Sequence, residues 1–258
     1  MITDTNVSLS RWPFRRLPGD DPGELVQRLR KRNVSQAWAG SFDALLHEDI
    51  AGVNARLAAD CRRHGKDFLL PFGAINLRLP DWKEDLRRCA EDHRMPGIRL
   101  YPNYQGYHIT DPSFPELLRL AAARNLVVQL AVAMEDERTQ NPLVRVPEVS
   151  LAPLPEILAK TPKLRVQVLN ANRPAPELMK KLLAAGDIFF DFARTESVHG
   201  LSGLMAQAPE RVVFGSHSPF YYFESALLKV TEAGLDEAQR RAVLSGNAAR
   251  LLGQGRAQ

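Results

Sequence analysis

The chain has 258 residues, 45% hydrophobic and 25% charged, with a formal net charge of +4. These proportions exclude a disordered or fibrous polymer, and the length suits one large core. The densest positive runs, Arg28-Leu29-Arg30-Lys31-Arg32 and Arg62-Arg63, fall at helix ends where cations suit the dipole, so no nucleic-acid partner is expected.

Taken in chain order, short β-rich runs alternate with amphipathic ones. Strands are expected over residues 2–7, 34–39, 68–74, 97–101, 126–132, 164–169, 188–192 and 212–215. Helices are expected over 23–31, 51–64, 82–93, 114–124, 154–160, 175–184, 198–207 and 220–232, with a further helical tail over 236–252. Strand starts recur roughly every 25 to 40 residues, the length of one βα unit. This alternation within about 250 residues predicts an α/β protein, a closed (β/α)8 TIM barrel with an extra C-terminal helical tail, rather than an open doubly wound sheet. No composition shift divides the chain, so a single domain over residues 1–258 is expected.

In such a barrel the chemistry sits on loops leaving the C-terminal strand ends. Strand 1 delivers Asn6 and Ser8, then the loop Arg11-Trp12-Pro13-Phe14-Arg15-Arg16. Guanidiniums beside aromatics there suit a clamp for a carboxylate or phosphate, or else Trp12 and Phe14 plug the barrel mouth while the arginines pair with Asp20, Asp21 and Glu24. Strand 4 delivers Arg99 and Tyr101, then a loop with Asn103, Tyr104 and Tyr107. Strand 5 delivers Gln129 and a long loop over 134–155, a candidate lid. Strand 6 ends at Asn170, strand 7 offers Asp191, Arg194, Glu196 and His199, and strand 8 offers His217.

The segments GIRLYPNYQGY (97–107), RVVFGSHSPF (211–220) and SGNAARLLG (245–253), with ITDTNVSL (2–9) at the first strand, resemble the amidohydrolase-related proteins. That family comprises metal-dependent TIM-barrel hydrolases and decarboxylases, and the resemblance runs the length of the chain. It implies a divalent metal such as zinc, held by a His-x-His pair on strand 1, further histidines on later strands and an aspartate on strand 8. The matching positions here hold Asn6 and Ser8, Ala131, Asn170 and His217. Neutral amides, a hydroxyl and a methyl are poor zinc donors, so no metal and no other cofactor is expected.

The resulting expectation is a divergent hydrolase or lyase acting on a small anionic organic substrate without the metal. His217 would be the acid/base, Asp191 its orienting carboxylate, and Asn6 and Asn170 would polarise a carbonyl. Arg11, Trp12, Arg99, Tyr101, Tyr104 and Gln129 would line the substrate pocket, with Arg11 or Arg99 holding a carboxylate. Two alternatives stay open: a non-catalytic ligand-binding or scaffold barrel, and a metal hydrolase with a relocated set drawn from His108, His199, Asp191 and Glu196. In SGNAARLLG, Asn247 reads as a helix cap.

The start Met1-Ile2-Thr3-Asp4 has no basic segment leading into an apolar run, and 126–134, broken by Gln129, is too short to span a bilayer. Cys61 and Cys89 lack CxxC spacing and read as buried thiols. A cytoplasmic protein without membrane contact is expected, with a homo-oligomer possible.

Overall fold

Strand and helix alternate through the computed structural model, which describes residues 1–197 and 199–253. The first half runs β1 (Ile2–Leu9), α1 (Pro22–Lys31), β2 (Val34–Ser41), α2 (Ile50–Gly65), β3 (Leu69–Ala74), α3 (Trp82–Arg87), β4 (Gly97–Leu100), a short α4 (Pro102–Gln105) and α5 (Ser113–Ala123). The second runs β5 (Val127–Ala131), α6 (Leu154–Ala159), β6 (Arg165–Leu169), α7 (Pro176–Ala185), β7 (Asp187–Phe190), α8 (Gly200–Gln207), α9 (Phe223–Glu232), α10 (Glu237–Arg241) and α11 (Asn247–Leu252). Local chemistry sets the boundaries. Asp21 accepts from the Glu24 amide and Pro22 opens α1, while Arg28, Arg30 and Lys31 fill its last turn. Asp236 and Gln239 form a reciprocal capping box on α10.

All strands are parallel, in the order β1-β2-β3-β4-β5-β6-β7. They are buried on both faces, as expected where helices cover the outside and a packed barrel fills the inside. The expected eighth strand, 212–215, is not a regular strand. Its segment spans the gap in two steps: Val213 N donates to Phe190 O of β7 at 3.0 Å, then Thr5 N of β1 donates to Phe214 O at 2.9 Å and Ser8 N to Ser218 O at 2.9 Å. The segment passes from one neighbour to the other, so no ladder extends along either.

Register places Arg99, Gln129, Gln167 and Phe189 side by side on β4 to β7. Phe189 also joins an apolar cluster with Trp38, Phe72, Val127 and Val213, closed by Ala248 and Leu251 of α11. Asn247 does not cap a helix. The chain is already helical on both sides of it, and its buried amide donates to Pro209 O (2.9 Å) and Val212 O (2.7 Å), holding the closing segment. Both cysteines are buried and free. Among the described residues no helix is long and apolar enough to cross a membrane.

Two differences bear on the site. The expected helix over 220–232 starts at Phe223, because Tyr221 N donates to His217 O in a turn beneath it. The start of the expected 198–207 helix, Val198, lies outside the described residues. The candidate lid over 134–155 is irregular apart from one helical turn, Glu137–Thr139, and its last two residues, which begin α6. It is tied down at 2.9 Å from Asn103 Nδ2 to Pro147 O and at 2.7 Å between Arg194 and Glu148.

Candidate functional site at the strand ends

Three strand-end residues, Asn6, Asn170 and Asp191, form one buried cluster. The Asn6 side-chain amide donates to Asn170 Oδ1 and to Asp191 Oδ2, both at 2.7 Å. Asp191 Oδ1 accepts the Asn170 backbone N–H at 3.0 Å. Gly215 is required beside them, since a Cβ there would stand 2.8 Å from Asp191 Cβ and 3.0 Å from Asn6 Cβ. A second carboxylate, Asp4, accepts from the backbone N–H of Asn6 and Ser216 and from the Ser216 hydroxyl. Burial raises Asp4 to about 7 and Asp191 to about 6, against the opposing pull of their hydrogen bonds.

His217 joins this level of the barrel through a left-handed backbone, φ 57°, which Asn170 shares at the end of β6. Non-glycine residues rarely adopt this region, and such strain gathers at functional positions. The imidazole is fully buried, and its Nε2 donates to Met134 O at 2.8 Å, leaving the Nδ1 lone pair without a partner. Burial first, then the Arg99 and Arg194 guanidiniums, depress it to about 3, so it is neutral at ordinary pH. The expected carboxylate–imidazole pair is therefore not formed. Asp191 serves the two asparagines, and a backbone carbonyl orients His217.

Arg99 is 1% exposed and lies within the barrel rather than at its mouth. It donates to Gln129 Oε1 (2.7 Å), Val7 O (2.9 Å) and Trp38 O (3.1 Å). Gln129 continues to Thr5 O and Gln167, both at 2.8 Å, and Gln167 to Thr5 Oγ1 at 2.6 Å. Arg99 and Gln129, expected to touch substrate, spend their hydrogen bonds on this ladder. Gly40 leaves room for it, since a Cβ there would stand 2.8 Å from the Arg99 guanidinium and from the Tyr101 hydroxyl.

Above the ladder lies an aromatic plug. Trp12 is buried and packs edge-on against Phe42 (5.3 Å), Phe220 (4.8 Å) and Tyr104 (6.3 Å), and Phe220 stacks on His217 at 5.1 Å. Tyr101, Ala131, Met134 and Leu169 belong to the same cluster. The Trp12 Nε1 is buried without a hydrogen-bond partner, like His217 Nδ1, and the Tyr101 hydroxyl, whose oxygen faces the Arg99 guanidinium, has no acceptor for its proton. Arg11 is exposed outside the plug, Arg15 lies over the Phe220 ring at 5.0 Å, and Arg16 pairs with Asp20 at 2.7 Å. A cavity of about 430 Å³ opens off the barrel axis beside β7, lined by Thr195, Glu196, His199, Tyr221 and Lys229.

The donor set does not fit the divalent metal that the family resemblance implies. Asn6 turns its N–H bonds, not a lone pair, toward its neighbours; Asn170 Oδ1 is occupied; Ala131 offers nothing; and His217 has one free nitrogen. His108, His199 and Glu196 are exposed, and among the described residues no three His, Cys, Asp or Glu side chains converge to hold an ion.

One residue had no signal in the sequence. Glu135, at the start of the 134–155 loop, is only 3% exposed, with Tyr104 and Arg15 acting on it electrostatically.

A curled parallel sheet sheathed in helices, with its polar cluster at the C-terminal strand ends, defines a TIM-barrel protein. The chain belongs to the amidohydrolase family, whose profile matches residues 10–254. Similar solved structures include 5-carboxyvanillate decarboxylase from Sphingomonas paucimobilis, with TM-score 0.77, 13% identity and 98% of each chain covered. The 2,6-dihydroxybenzoate decarboxylase from Rhizobium follows at 0.73, 13% and 98% of each chain. A dihydroxybenzoic acid decarboxylase from a Polaromonas species, holding manganese and 2-nitroresorcinol, gives 0.72, 12% and 98% of each chain. At such identities the likeness shows the fold. None of the curated proteins matches the chain in sequence.

Proposed function

We propose that the chain binds a small organic carboxylate beneath the Trp12–Phe220 plug and converts it, as a hydrolase or lyase, without a resident divalent metal. The observation that carries this reading is the trio of buried hydrogen-bonding functions at the strand ends that the chain leaves uncompleted: the Trp12 N–H, the Tyr101 O–H, whose oxygen faces Arg99, and His217 Nδ1. Each costs about 1–3 kcal/mol when left unpaired, and folded proteins rarely keep such groups without a use. A carboxylate or carbonyl oxygen would pair with the Trp12 and Tyr101 donors, and a proton-bearing atom would pair with His217 Nδ1. Arg99 and Arg194 both bear on His217, and the positive potential they create suits an anion. The decarboxylases similar in fold are named for small aromatic carboxylates, which supports the same ligand class.

In this reading His217 takes the proton. An arriving anion offsets the two guanidiniums and lifts the imidazole from its depressed state toward a useful range. Asn170, whose side-chain amide keeps one N–H after donating to Ala133 O, polarises the reacting carbonyl, and Asn6, with both N–H bonds spent on Asn170 and Asp191, holds it in place. Tyr104 belongs to the plug, Arg99 and Gln129 act from beneath through field and support, and Arg11 guides the anion from outside.

The test is a panel of aromatic carboxylic acids, lactones and amides, assayed with protein purified without chelator and analysed for metal. The expected result is turnover with no stoichiometric zinc, manganese or iron, abolished in His217→Ala while its circular dichroism is unchanged. Stoichiometric metal, or full activity in the variant, would overturn the reading. A non-catalytic binding barrel is the second reading, favoured by the complete burial of His217. Ligand-induced thermal stabilisation without turnover would select it.

A further inference from the structure

The inner face of α3 carries one charge. Trp82, Asp85, Leu86 and Cys89 fall at the i, i+3, i+4 and i+7 positions of one stripe, and all four are buried, Asp85 to 6% exposure. A carboxylate on such a stripe ordinarily takes hydrogen bonds from its neighbours. Asp85 takes none and forms no ion pair among the described residues, yet its oxygens are not sealed from solvent. Burial first, opposed by Arg88 and reinforced by the Asp81, Glu84 and Asp49 carboxylates, raises its protonation above the ordinary aspartate range.

What stays open beside Asp85 is a cavity of about 420 Å³ between the first turns of α2 and α3, reached from the loops that follow β2 and β3. Ile50, Leu79 and Pro80 give it an apolar wall, and Asp49, Asp81 and Glu84 line it with Asp85. Two of these acids already have structural work. Asp49 caps α2 by accepting the Gly52 N–H at 2.8 Å, and Glu84 holds Arg87 at 2.8 Å and Arg88 at 3.0 Å. Among the described residues lining the cavity Arg88 is the one cation, so the field inside is negative although the chain carries a net +4. No three acidic, histidine or cysteine side chains converge there to ligate a metal ion. A dispersed negative field, one deep unpaired carboxylate and an apolar wall suit an ammonium on an alkyl stem instead.

We propose that the groove between α2 and α3 is a binding site for a small primary alkylamine, whose ammonium donates to Asp85 while its methylenes lie against Ile50 and Leu79. A second ammonium on the same stem would meet the outer acids, so a diamine fits better than a monoamine. The site is separate from the strand-end cluster and does not depend on its function.

The test is calorimetric titration of the whole chain, at constant ionic strength, with butylamine, 1,4-diaminobutane, 1-butanol and magnesium chloride. Both amines should bind saturably, the diamine more tightly, with 1-butanol at least about tenfold weaker than either because it brings no charge to Asp85. Asp85→Asn, which keeps the shape and removes the charge, should weaken both amines by about tenfold or more, while its unfolding temperature without ligand should equal or exceed that of wild type. Asp81→Asn lies on the exposed rim and leaves the core untouched; it should weaken the diamine by about threefold and the monoamine by less. No saturable amine binding to wild type, or amine affinities unchanged in Asp85→Asn, would overturn the proposal. Magnesium binding more tightly than the amines would make this a metal site and overturn it as well. Tighter binding of Nα-acetyl-lysine amide than of the free amines would assign the groove to a lysine side chain of another protein, again against the proposal.

Discussion

Arg99, in the middle of the barrel, gives its hydrogen bonds to Gln129, Val7 and Trp38, and the chain of partners continues through Gln167 to Thr5. One layer higher, the Trp12 N–H, the Tyr101 O–H and His217 Nδ1 are buried just as completely, and nothing in the chain supplies the acceptor or donor each of them calls for. Depth is the same in the two layers; satisfaction is not. Burial alone thus does not separate a structural polar group from a functional one. What separates them is whether the protein itself supplies the second half of each hydrogen bond.

Mutations in the satisfied layer should cost the most. Arg99→Leu strands Gln129 Oε1 and two buried carbonyls, and should lower unfolding free energy by about 3–5 kcal/mol in urea titrations. A loss below about 1 kcal/mol would mean that the ladder is not what holds this layer. Asn247→Ala strands Pro209 O and Val212 O, and should cost about 1–3 kcal/mol by the same measurement.

The Asp191 cluster lies between the two layers and should give a pH-dependent answer. Folding raises Asp191 from its unfolded value near 3.8 to about 6. The native state therefore holds the extra proton between those values, and this carboxyl's contribution declines as pH rises through that window. Asp191→Asn cannot lose a proton, so its penalty relative to wild type should be larger at pH 5 than at pH 8. Urea midpoints at the two values check the sign, and a penalty that grows with pH would contradict the assignment.

The smallest effect on stability belongs to the unsatisfied layer. Trp12→Phe removes an N–H that bonds to nothing, keeps the ring contacts with Phe42 and Phe220, and should change unfolding free energy by less than about 1 kcal/mol. The same substitution should weaken binding of benzoate by about tenfold, because the ligand loses a donor. A large stability loss with unchanged binding would reverse the contrast between the layers.

Much of the barrel was legible in the sequence because each buried strand, such as Val127–Ala131, is an apolar run bounded by helix signals. The eighth strand was legible only as an extended segment, since its split between β7 and β1 depends on contacts far along the chain. Position after a strand pointed to Asn6, Asn170 and Asp191, which the fold joins by hydrogen bonds, while His217 is buried against Met134 O and Phe220. It could not say which partner each side chain would choose. Arg99 faces inward from β4 one layer below the strand end, and the room made by Gly40 on another strand lets its guanidinium lie within the barrel, a fit that no local pattern shows.

The most direct measurement is a crystal structure of the protein soaked with benzoate. The expected density places the carboxylate beneath Phe220, within hydrogen-bond distance of Trp12 Nε1 and Tyr101 OH, with no metal between. A ligand bound elsewhere while those atoms stay unpaired, or a cation coordinated by side chains at Asn6, Asn170 and His217, would contradict it.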